Sequence, residues 1–353
     1  MAALDLGQDV ADLTQALCDV ESVSGSERVL ADAVEEALRG LPHLTVHRDG
    51  DTVMARTAAG RAERVVLAGH LDTVPPHANF PSYRVDDRLV GLGTCDMKGG
   101  CAVGLRIAAT LAEPNRDITF FFYECEEVEA ERNGLNRLAR SRPEWLAADF
   151  AVLMEPTSAT VEGGCQGTMR VDVTARGVRA HSARSWMGEN AIHKAAPILD
   201  RLNAYQPRRP VVDGLTFHEG LNAVWISGGV AGNVLPDAVT VSVNYRFAPD
   251  RTEEEAAAFL REFFAGFDTV VSDSAPAARP GLDRPAAAAF VAAIGSSPRP
   301  KFGWTDVARF SQLGVPAVNY GPGDPSVAHT QGEYVEIGEL HSCEERLRRW
   351  LAT

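Results

Sequence analysis

Apolar runs and polar segments alternate along the first half of the chain. Three short apolar runs, at Arg64–Gly69, Asp117–Tyr123 and Phe150–Met154, predict buried strands, because β-branched and aromatic residues fill them over the length of a typical strand. Helical spacing of apolar residues predicts helices between Asp9 and Leu41, and Gly99–Leu111 predicts a helix rich in small residues. Strands that alternate with helices favour an α/β layer with a largely parallel sheet.

The pattern changes after about Gly167, where apolar and polar residues alternate as in strands with one exposed face. The predicted elements follow in the order β-α-β-β-α, namely strands at Met169–Ala175, Ala223–Gly229 and Ala238–Phe247 and helices at Asn190–Leu202 and Thr252–Phe264. Thr252 should cap the last helix, with Glu255 at the capping-box position. This order is typical of an α+β domain.

These patterns favour a two-domain architecture. A chain of 353 residues is long for a single core. A Pro/Ala stretch near Ala275–Pro280 has the composition of a linker that returns the chain to the first domain. We therefore expect an α/β domain at 1–168 and 277–353, with a mixed and mainly parallel sheet, and an inserted α+β domain at 169–276.

The charge balance and the absence of targeting signals narrow the classes of function. The net charge of -14 comes from 34 basic and 48 acidic residues, which argues against a nucleic-acid partner; a few local Arg can still bind an anionic substrate. No apolar run reaches the roughly 20 residues that cross a bilayer, so no membrane partner is expected. Asp5 and Asp9 make the N-terminus acidic, which is unlike a signal peptide and favours a cytoplasmic location.

The six cysteines are scattered and form no CxxC pair. Neither a zinc ribbon nor a disulfide framework is therefore indicated. We expect reduced, buried thiols, as in cytosolic proteins.

Five short segments place metal-competent side chains at or after the ends of the apolar strands. They are Gly69–Pro75 (GHLDTVP), Gly91–Gly100 (GLGTCDMKGG), Glu124–Val128 (ECEEV), Met154–Thr157 (MEPT) and Ala328–Glu333 (AHTQGE). Each alone has an ordinary explanation, such as a surface His, a turn-forming Asp or a solvated Glu pair. Their coincidence favours a site, because α/β folds place their sites at strand ends and clustered charges there need a partner such as a divalent cation.

The side-chain types indicate which ions would bind. Imidazoles and carboxylates suit zinc, cobalt or manganese, and the absence of thiolates argues against a purely structural zinc. Two His and three carboxylates are too many for one open zinc site, but they suit two ions that share a bridge, about 3.5–4 Å apart. Asp72 follows His70 by two residues and can hold the second N–H of that imidazole.

In order and spacing, these segments resemble the co-catalytic M20 metallopeptidase family of aminoacylases, carboxypeptidases and deacylases, over nearly the whole chain. Further stretches are similar to the desuccinylases of that family: 162–167 (EGGCQG), 180–187 (AHSARSWM), 232–236 (GNVLP), 244–247 (NYRF) and 302–310 (FGWTDVARF). The resemblance implies a two-domain metal-dependent hydrolase that removes succinate from N-succinyl-L,L-diaminopimelate, in lysine and diaminopimelate biosynthesis.

The resemblance also implies a role for particular residues in the first domain. One metal ion would be bound by His70 and Glu155 and the other by Glu127 and His329, while Asp96 bridges both, Asp72 orients His70 and Glu126 is the general base. The two ions would be Zn²⁺, with Co²⁺ or Mn²⁺ as alternatives. The Asp96–Met97 peptide bond should be cis.

The inserted domain would form a homodimer and contribute to substrate binding. The resemblance implies that His181 reaches the partner subunit's site and stabilises the oxyanion. The carboxylates of an anionic N-acyl amino acid would be held by Arg170, Asn233, Arg246 and Thr305, where the two Arg suit bidentate pairing.

Two departures from the family pattern leave alternatives open. Cys125 stands where the family often has Asp before two Glu, so either Glu126 or a neighbouring Glu could be the base. Trp304 precedes Thr305 where the desuccinylases often have a smaller residue, which leaves the acyl group open. The alternatives are an acetylornithine or N-acyl-amino-acid deacylase, an aminopeptidase, a non-catalytic binding protein on the same fold, and a protein with one structural metal ion.

Overall fold

The structure is a computed structural model and describes residues 4–352. Its helices are α1 (Val10–Cys18), α2 (Arg28–Arg39), α3 (Lys98–Thr110), α4 (Gly134–Ser141), α5 (Pro143–Leu146), α6 (Ala191–Lys194), α7 (Ala196–Ala204), α8 (Glu253–Phe263), α9 (Pro285–Ile294), α10 (Val307–Gln312) and α11 (Ile337–Ala352), with a 3-10 helix at Ser182–Met187. Among these described residues, no helix has the length and apolar character that spanning a membrane requires.

The strands run in chain order from β1 to β19. They are β1 (Leu44–Asp49), β2 (Thr52–Thr57), β3 (Arg64–His70), β4 (Tyr83–Val85), β5 (Arg88–Val90), β6 (Asp117–Tyr123), β7 (Phe150–Leu153), β8 (Glu162–Gly163), β9 (Gly167–Arg176), β10 (Ala180–His181), β11 (Val211–Val212), β12 (Leu215–Thr216), β13 (Gly220–Gly228), β14 (Val234–Leu235), β15 (Ala238–Phe247), β16 (Asp268–Ala275), β17 (Arg299–Pro300), β18 (Ala317–Asn319) and β19 (Tyr334–Glu336).

The chain forms two compact units. The first contains the described residues up to Gly164, Pro280–Arg299 and the described residues from Thr305 onwards. The second contains Cys165–Arg279 and Pro300–Trp304.

The first unit is built on an eight-stranded sheet of order β1-β2-β6-β3-β7-β18-β8-β17. Its four central strands, β6, β3, β7 and β18, are parallel, whereas β1, β2 and β8 pair antiparallel. The predicted mixed sheet is therefore confirmed. Strands β6 and β7 are buried along their whole length, and β3 and β18 at every position but the first, as parallel strands covered on both faces usually are.

The parallel strands β3, β6 and β7 end at the same edge of this sheet. His70 is the last residue of β3 and pairs with Tyr123, the last residue of β6. Ala68 of β3 pairs with Leu153, the last residue of β7. The register therefore delivers the segments that begin at His70, Glu124 and Met154 to one edge, which is where α/β folds place their sites.

Helix α3 packs very closely against the segment that follows β7. A side chain at Gly100 would collide with the backbone of Met154, and one at Gly104 would collide with the Met154 side chain. Gly100, the last residue of the GLGTCDMKGG segment, and Gly104 thus allow the start of α3 to approach the end of β7. That approach brings the loop of Asp96 to the carboxyl ends of the strands.

The second unit has an antiparallel sheet of order β13-β15-β9-β16. One face of this sheet is buried in an apolar cluster that includes residues of α7 and α8, and β15 alternates strictly between buried and partly exposed positions. Helix α8 begins with the predicted capping box of Thr252 and Glu255, so that prediction is confirmed. The inserted segment therefore has the predicted α+β character.

The predicted helices between Asp9 and Leu41 are present as α1 and α2, but two other parts of the pattern differ from the structure. The predicted helix at Asn190–Leu202 is divided into α6 and α7. Pro197 lies in the first turn of α7, where its missing N–H is tolerated although it could not continue the helix from α6. The strand β16 was not predicted, because Asp268–Ala275 is rich in Asp and Ser and lies at a sheet edge with little burial.

The cysteine prediction is confirmed. All six cysteines are buried thiols.

Asp117 stabilises the start of β6. Its side chain is 5% exposed and accepts hydrogen bonds from the Thr57 hydroxyl (3.0 Å) and from the backbone N–H groups of Ala59 (2.8 Å) and Arg61 (3.0 Å). Burial raises the pKa of Asp117, but these hydrogen bonds and the nearby Arg64 outweigh it and lower that pKa. A lowered pKa stabilises the fold above the ordinary pKa of Asp, and this contribution is lost as the pH falls through the folded-state value.

We expect Asp117→Asn to reduce the free energy of unfolding at pH 7 by about 1–2 kcal/mol. The Asn amide has one accepting oxygen, whereas the Asp carboxylate accepts hydrogen bonds at both of its oxygens. The difference from wild type should shrink at pH 3. Urea unfolding at the two pH values measures it. Asp200→Asn, an exposed position on α7, is the control and should change stability by less than about 0.5 kcal/mol; an equal loss at both pH values would contradict the role of the ionised carboxylate.

Candidate metal centre

His70 ends β3 with both ring nitrogens engaged. Nδ1 lies 3.0 Å from the backbone carbonyl oxygen of Asp72, and Nε2 lies 3.2 Å from Oδ1 of Asp96. A carbonyl oxygen only accepts, so Nδ1 carries a proton and Nε2 is the nitrogen that can bind a metal ion. The nearer Asp72 carboxylate oxygen is 3.4 Å from Nδ1, so the Asp72 backbone makes the shorter contact with the ring.

Asp96 lies between two imidazoles. Its Oδ1 faces His70, and its Oδ2 lies 3.4 Å from Nε2 of His329. The peptide bond between Asp96 and Met97 is cis, as the family resemblance implies. One carboxylate with a different His at each oxygen has the arrangement of a ligand that bridges two ions.

Glu127 completes the cluster. Its Oε1 lies 2.6 Å from Nε2 of His329. The ligand atoms of His70, Asp96 and Glu127 all lie within 4.8 Å of one another. The structure therefore brings four of the five predicted metal ligands together by direct contact or close spacing.

Glu155, the fifth predicted ligand, follows β7 and is buried. It lies outside the three-residue group of His70, Asp96 and Glu127. Its charge is nonetheless close enough to raise the pKa of Glu126. The end of β7 thus brings Glu155 to the same edge as the base candidate.

The electrostatics of the cluster are those of crowded, partly buried carboxylates. Burial raises the pKa of Glu126 well above its usual value, and Glu155 and Glu127 raise it further, although His70 opposes them. Burial also raises the pKa of Glu127, against its hydrogen bond with His329. Burial and mutual repulsion therefore disfavour the ionised forms of these two carboxyl groups.

The histidines respond in the opposite sense. Hydrogen bonds with Asp96 and Glu127 raise the pKa of His329 to about 11. Burial lowers the pKa of His70, but the hydrogen bonds with Asp72 and Asp96 outweigh it and raise that pKa well above its usual value. Protonated imidazole rings place positive charge beside the carboxylates, and a divalent metal ion at the same place would supply more positive charge.

The donor set fits divalent cations. It contains imidazole nitrogens and carboxylate oxygens, the ligand types that zinc, cobalt and manganese accept. The nearest thiol of the loop, Cys95, is directed to a backbone carbonyl oxygen, that of Asp324 at 3.2 Å.

The inserted unit holds most of the other predicted site residues. His181 pairs with Val234 in the β10–β14 ladder, which brings it beside Asn233, whose carbonyl oxygen accepts a hydrogen bond from Ser182 N–H at 2.9 Å. Arg170 on β9 pairs with Asn244 on β15, two residues before Arg246. The two Arg therefore share the exposed face of that sheet.

Two of these residues also have structural contacts. Arg170 lies 3.2 Å from Asp273 of β16 and is half exposed. Thr305, in the first unit, is buried and donates its hydroxyl to Oδ1 of Asn319 at 2.8 Å. Their roles in substrate binding stay predictions.

Three residues near the cluster received no role from the sequence. Oε1 of buried Glu333 accepts the backbone N–H groups of Cys95 and Asp96, each at 3.1 Å. Ser24 donates its hydroxyl to Asp72 at 2.7 Å, and Glu27 accepts from Cys125 N–H at 3.1 Å. Glu333 could have been identified from the sequence, because it ends the AHTQGE segment. Ser24 and Glu27 could not, because their contacts are long-range and leave no local pattern.

Comparison with known proteins identifies the family of this chain. The model of peptidase family M20/M25/M40 matches residues 66–353. A Mycobacterium tuberculosis protein named "Putative succinyl-diaminopimelate desuccinylase DapE" is 52% identical over 351 residues, which cover 99% of both chains. The Corynebacterium glutamicum succinyl-diaminopimelate desuccinylase is 47% identical over 360 residues, with 99% of this chain and 98% of that one covered.

A solved structure shows the same fold. The M20 family metallo-carboxypeptidase Sso-CP2 from Sulfolobus solfataricus superposes with a TM-score of 0.80 at 15% identity, covering 97% of this chain and 98% of that chain. At this identity the likeness concerns the fold.

We expect Asp96→Asn to lose both metal ions and His329→Ala to lose one, because Asp96 faces both imidazoles and His329 only one group of ligands. Metal content after dialysis, measured by inductively coupled plasma mass spectrometry, tests this. His341→Ala removes another His–carboxylate contact, with Asp9 at 2.8 Å, and should keep two ions. Two ions in Asp96→Asn would contradict a bridging role.

Proposed function

We propose that this chain, which belongs to peptidase family M20/M25/M40, hydrolyses the amide bond of N-succinyl-L,L-diaminopimelate to give succinate and L,L-diaminopimelate. The observation that carries the proposal is the full-length similarity, at 52% and 47% identity, to proteins that bear the desuccinylase name. The His and carboxylate cluster at the strand ends supports the chemistry.

We propose two divalent cations, most simply Zn²⁺, in the cluster. His70, Asp96 and Glu155 would hold one, and Asp96, Glu127 and His329 the other. When bound, such ions lower the pKa of a water molecule between them and polarise the amide carbonyl.

Glu126 would carry the proton. It lies in the turn after β6, between Cys125 and the ligand candidate Glu127, and a carboxylate there can take a proton and then give it up. Its carboxylate would accept a proton from the attacking water and donate it to the nitrogen of the leaving amine. The neighbouring Glu127 contacts His329 and is thereby committed to the ligand set, which favours Glu126 as the base.

Most of the groups that would recognise the substrate lie in the inserted unit, and Thr305 lies in the first unit. Arg170 and Arg246 lie on one face of its sheet, and two guanidinium groups suit a substrate with several carboxylates. Asn233 and Thr305 would add hydrogen bonds, and His181 would stabilise the oxyanion. An anionic N-acyl amino acid fits these charges.

A substrate panel tests the assignment. We expect the zinc-loaded protein to prefer N-succinyl-L,L-diaminopimelate over N-acetylornithine and N-acetyl amino acids by at least about 100-fold in kcat/KM, because buried polar groups left unpaired by the wrong substrate are costly. Activity on acetylated compounds alone would favour another deacylase of the family. Glu126→Gln should bind two ions and lose at least about 100-fold in kcat; near wild-type turnover would contradict its role as the base.

We also propose that the inserted unit forms a homodimer through the edge strand β13. Val224, Trp225 and Ile226 on this strand are 57%, 68% and 54% exposed. An edge strand with unpaired backbone groups and large apolar side chains is a template for pairing with another strand. A second copy of β13 would pair with these backbone groups and cover these apolar side chains, because antiparallel pairing about a two-fold axis joins the two sheets.

A mixing experiment tests whether His181 acts in the partner's site. His181→Ala and Glu126→Gln should each be nearly inactive, yet their re-equilibrated equal mixture should regain about a quarter of wild-type activity, since half of the dimers are mixed and each has one complete site. No recovery would contradict the exchange of His181 between subunits.

The matched controls for this experiment lie on the two edges of the sheet. Ile226→Lys on β13 should give monomers by light scattering and abolish the recovery. Val270→Lys on the opposite edge strand β16, where Val270 is 63% exposed, should leave both unchanged. The reverse result would place the interface on β16.

A further inference from the structure

The turn that carries the base candidate is held by carboxylates from two other segments. Three consecutive backbone N–H groups, those of Cys125, Glu126 and Glu127, each donate to a carboxylate oxygen. Cys125 N–H donates to Oε1 of Glu27 at 3.1 Å, Glu126 N–H to Oδ1 of Asp72 at 3.0 Å, and Glu127 N–H to Oδ2 of Asp72 at 3.1 Å.

The conformation of the turn explains why it needs such support. Cys125 has a φ of 56°, in the left-handed region that side chains other than Gly and Asn rarely adopt. Successive N–H groups in such a turn converge and form an anion-binding concavity. Here the anions are the protein's own side chains, Glu27 and Asp72, which are 1% and 0% exposed.

Both carboxylates are themselves positioned by the segment between α1 and α2. The hydroxyl of Ser24 donates to Oδ2 of Asp72 at 2.7 Å. The backbone of Ser24 donates to the carbonyl oxygen of Thr73 at 3.1 Å, beside a parallel bridge between Val23 and Thr73. The segment thus lies against the loop that follows His70.

Glu27 links this segment directly to the turn. Its Oε1 accepts from Gly25 N–H at 2.8 Å, from Cys125 N–H at 3.1 Å and from the Cys125 thiol at 3.4 Å. The thiol contact gives Cys125 a reason to stand where an acidic residue would repel Glu27. The same contact ties the turn that presents Glu126 and Glu127 to the start of α2.

We propose that Glu27 and Ser24 are positioning residues for the reaction, acting through Cys125 and Asp72 on the orientation of the Glu126 and Glu127 side chains. The two residues lie ahead of 66–353, the part of the chain that the family model matches. The proposal rests on the proposed function only in the roles of Glu126 as base and Glu127 as ligand. Neither Glu27 nor Ser24 belongs to the proposed metal ligands or substrate-binding residues.

Substitutions at Glu27 can show whether its role depends on accepting hydrogen bonds or on its charge and size. Glu27→Gln keeps an oxygen that can accept from Cys125 N–H, whereas Glu27→Met has a similar length and no such acceptor. We expect Glu27→Met to lose about 10- to 100-fold in kcat or in affinity for the more weakly held zinc ion, with KM changed by less than about threefold. Glu27→Gln should restore most of the loss, and Ser24→Ala should act in the same direction.

Ser22→Ala is the matched control. Ser22 is buried in the same segment and donates one hydrogen bond, to the carbonyl oxygen of Leu71 at 2.7 Å, without touching either carboxylate. It should lower stability as Ser24→Ala does and leave kcat unchanged. Equal losses of kcat in both would show that the segment acts only through stability and would overturn the proposal.

Amide hydrogen exchange gives a readout that does not depend on activity. The peptide that contains Cys125–Glu127 should exchange at least about tenfold faster in Glu27→Met than in wild type or Glu27→Gln, because one of its three N–H groups loses its acceptor. Zinc binding measured by calorimetry tests the effect on Glu127. If the wild type hydrolysed none of the acylated amino acids, the proposed function would fail, but hydrogen exchange and zinc binding would still test the positioning role. Unchanged exchange and unchanged zinc affinity in Glu27→Met would overturn the positioning role.

Discussion

The main physical constraint on this structure is the repulsion among carboxylates that lie close together at one edge of a sheet. Glu126, Glu127 and Glu155 follow β6 and β7, and Asp96 lies in the loop before α3. The imidazoles of His70, at the end of β3, and His329 accompany them. Burial and mutual repulsion raise the pKa of Glu126, while the carboxylates raise the pKa of His329 to about 11. Positive charge from protons or from divalent cations stabilises such a group of carboxylates.

The elements that surround the cluster hold its geometry rather than add ligands. The Asp72 backbone fixes the tautomer of His70, Glu333 holds the N–H groups of Cys95 and Asp96, and Glu27 holds that of Cys125. Glycines at the start of α3 allow the close approach that brings Asp96 to the strand ends. Catalytic geometry needs this kind of support, because a displacement of about 1 Å can cost two orders of magnitude in rate.

Local patterns in the sequence predicted the elements that have a short-range signature. The Phe-rich run at Asp117–Tyr123, the alternating strand at Ala238–Phe247 and the capping box at Thr252 all have short-range signatures, and the structure contains each. The edge strand β16 was missed because its exposed positions are polar and resemble a loop. The apolar spacing at Asn190–Leu202 also did not reveal the break between α6 and α7, which lies just before Pro197.

The candidate ligands could be identified because each lies in a short motif beside a strand end. Their supporting contacts could not, since Ser24 meets Asp72 across 48 residues and Glu27 meets Cys125 across 98 residues. Only the register of β3 against β6 and the path of the segment before α2 bring these groups together. Contacts of that kind depend on tertiary structure, which hydrophobic periodicity does not encode residue by residue.

A crystal of the protein grown with zinc and measured on both sides of the zinc absorption edge tests the two-ion site most directly. We expect two anomalous peaks about 3.5–4 Å apart, one beside His70 and the other beside His329, with the Asp96 carboxylate between them. A single peak, or peaks remote from Asp96, would contradict a bridged pair of metal ions.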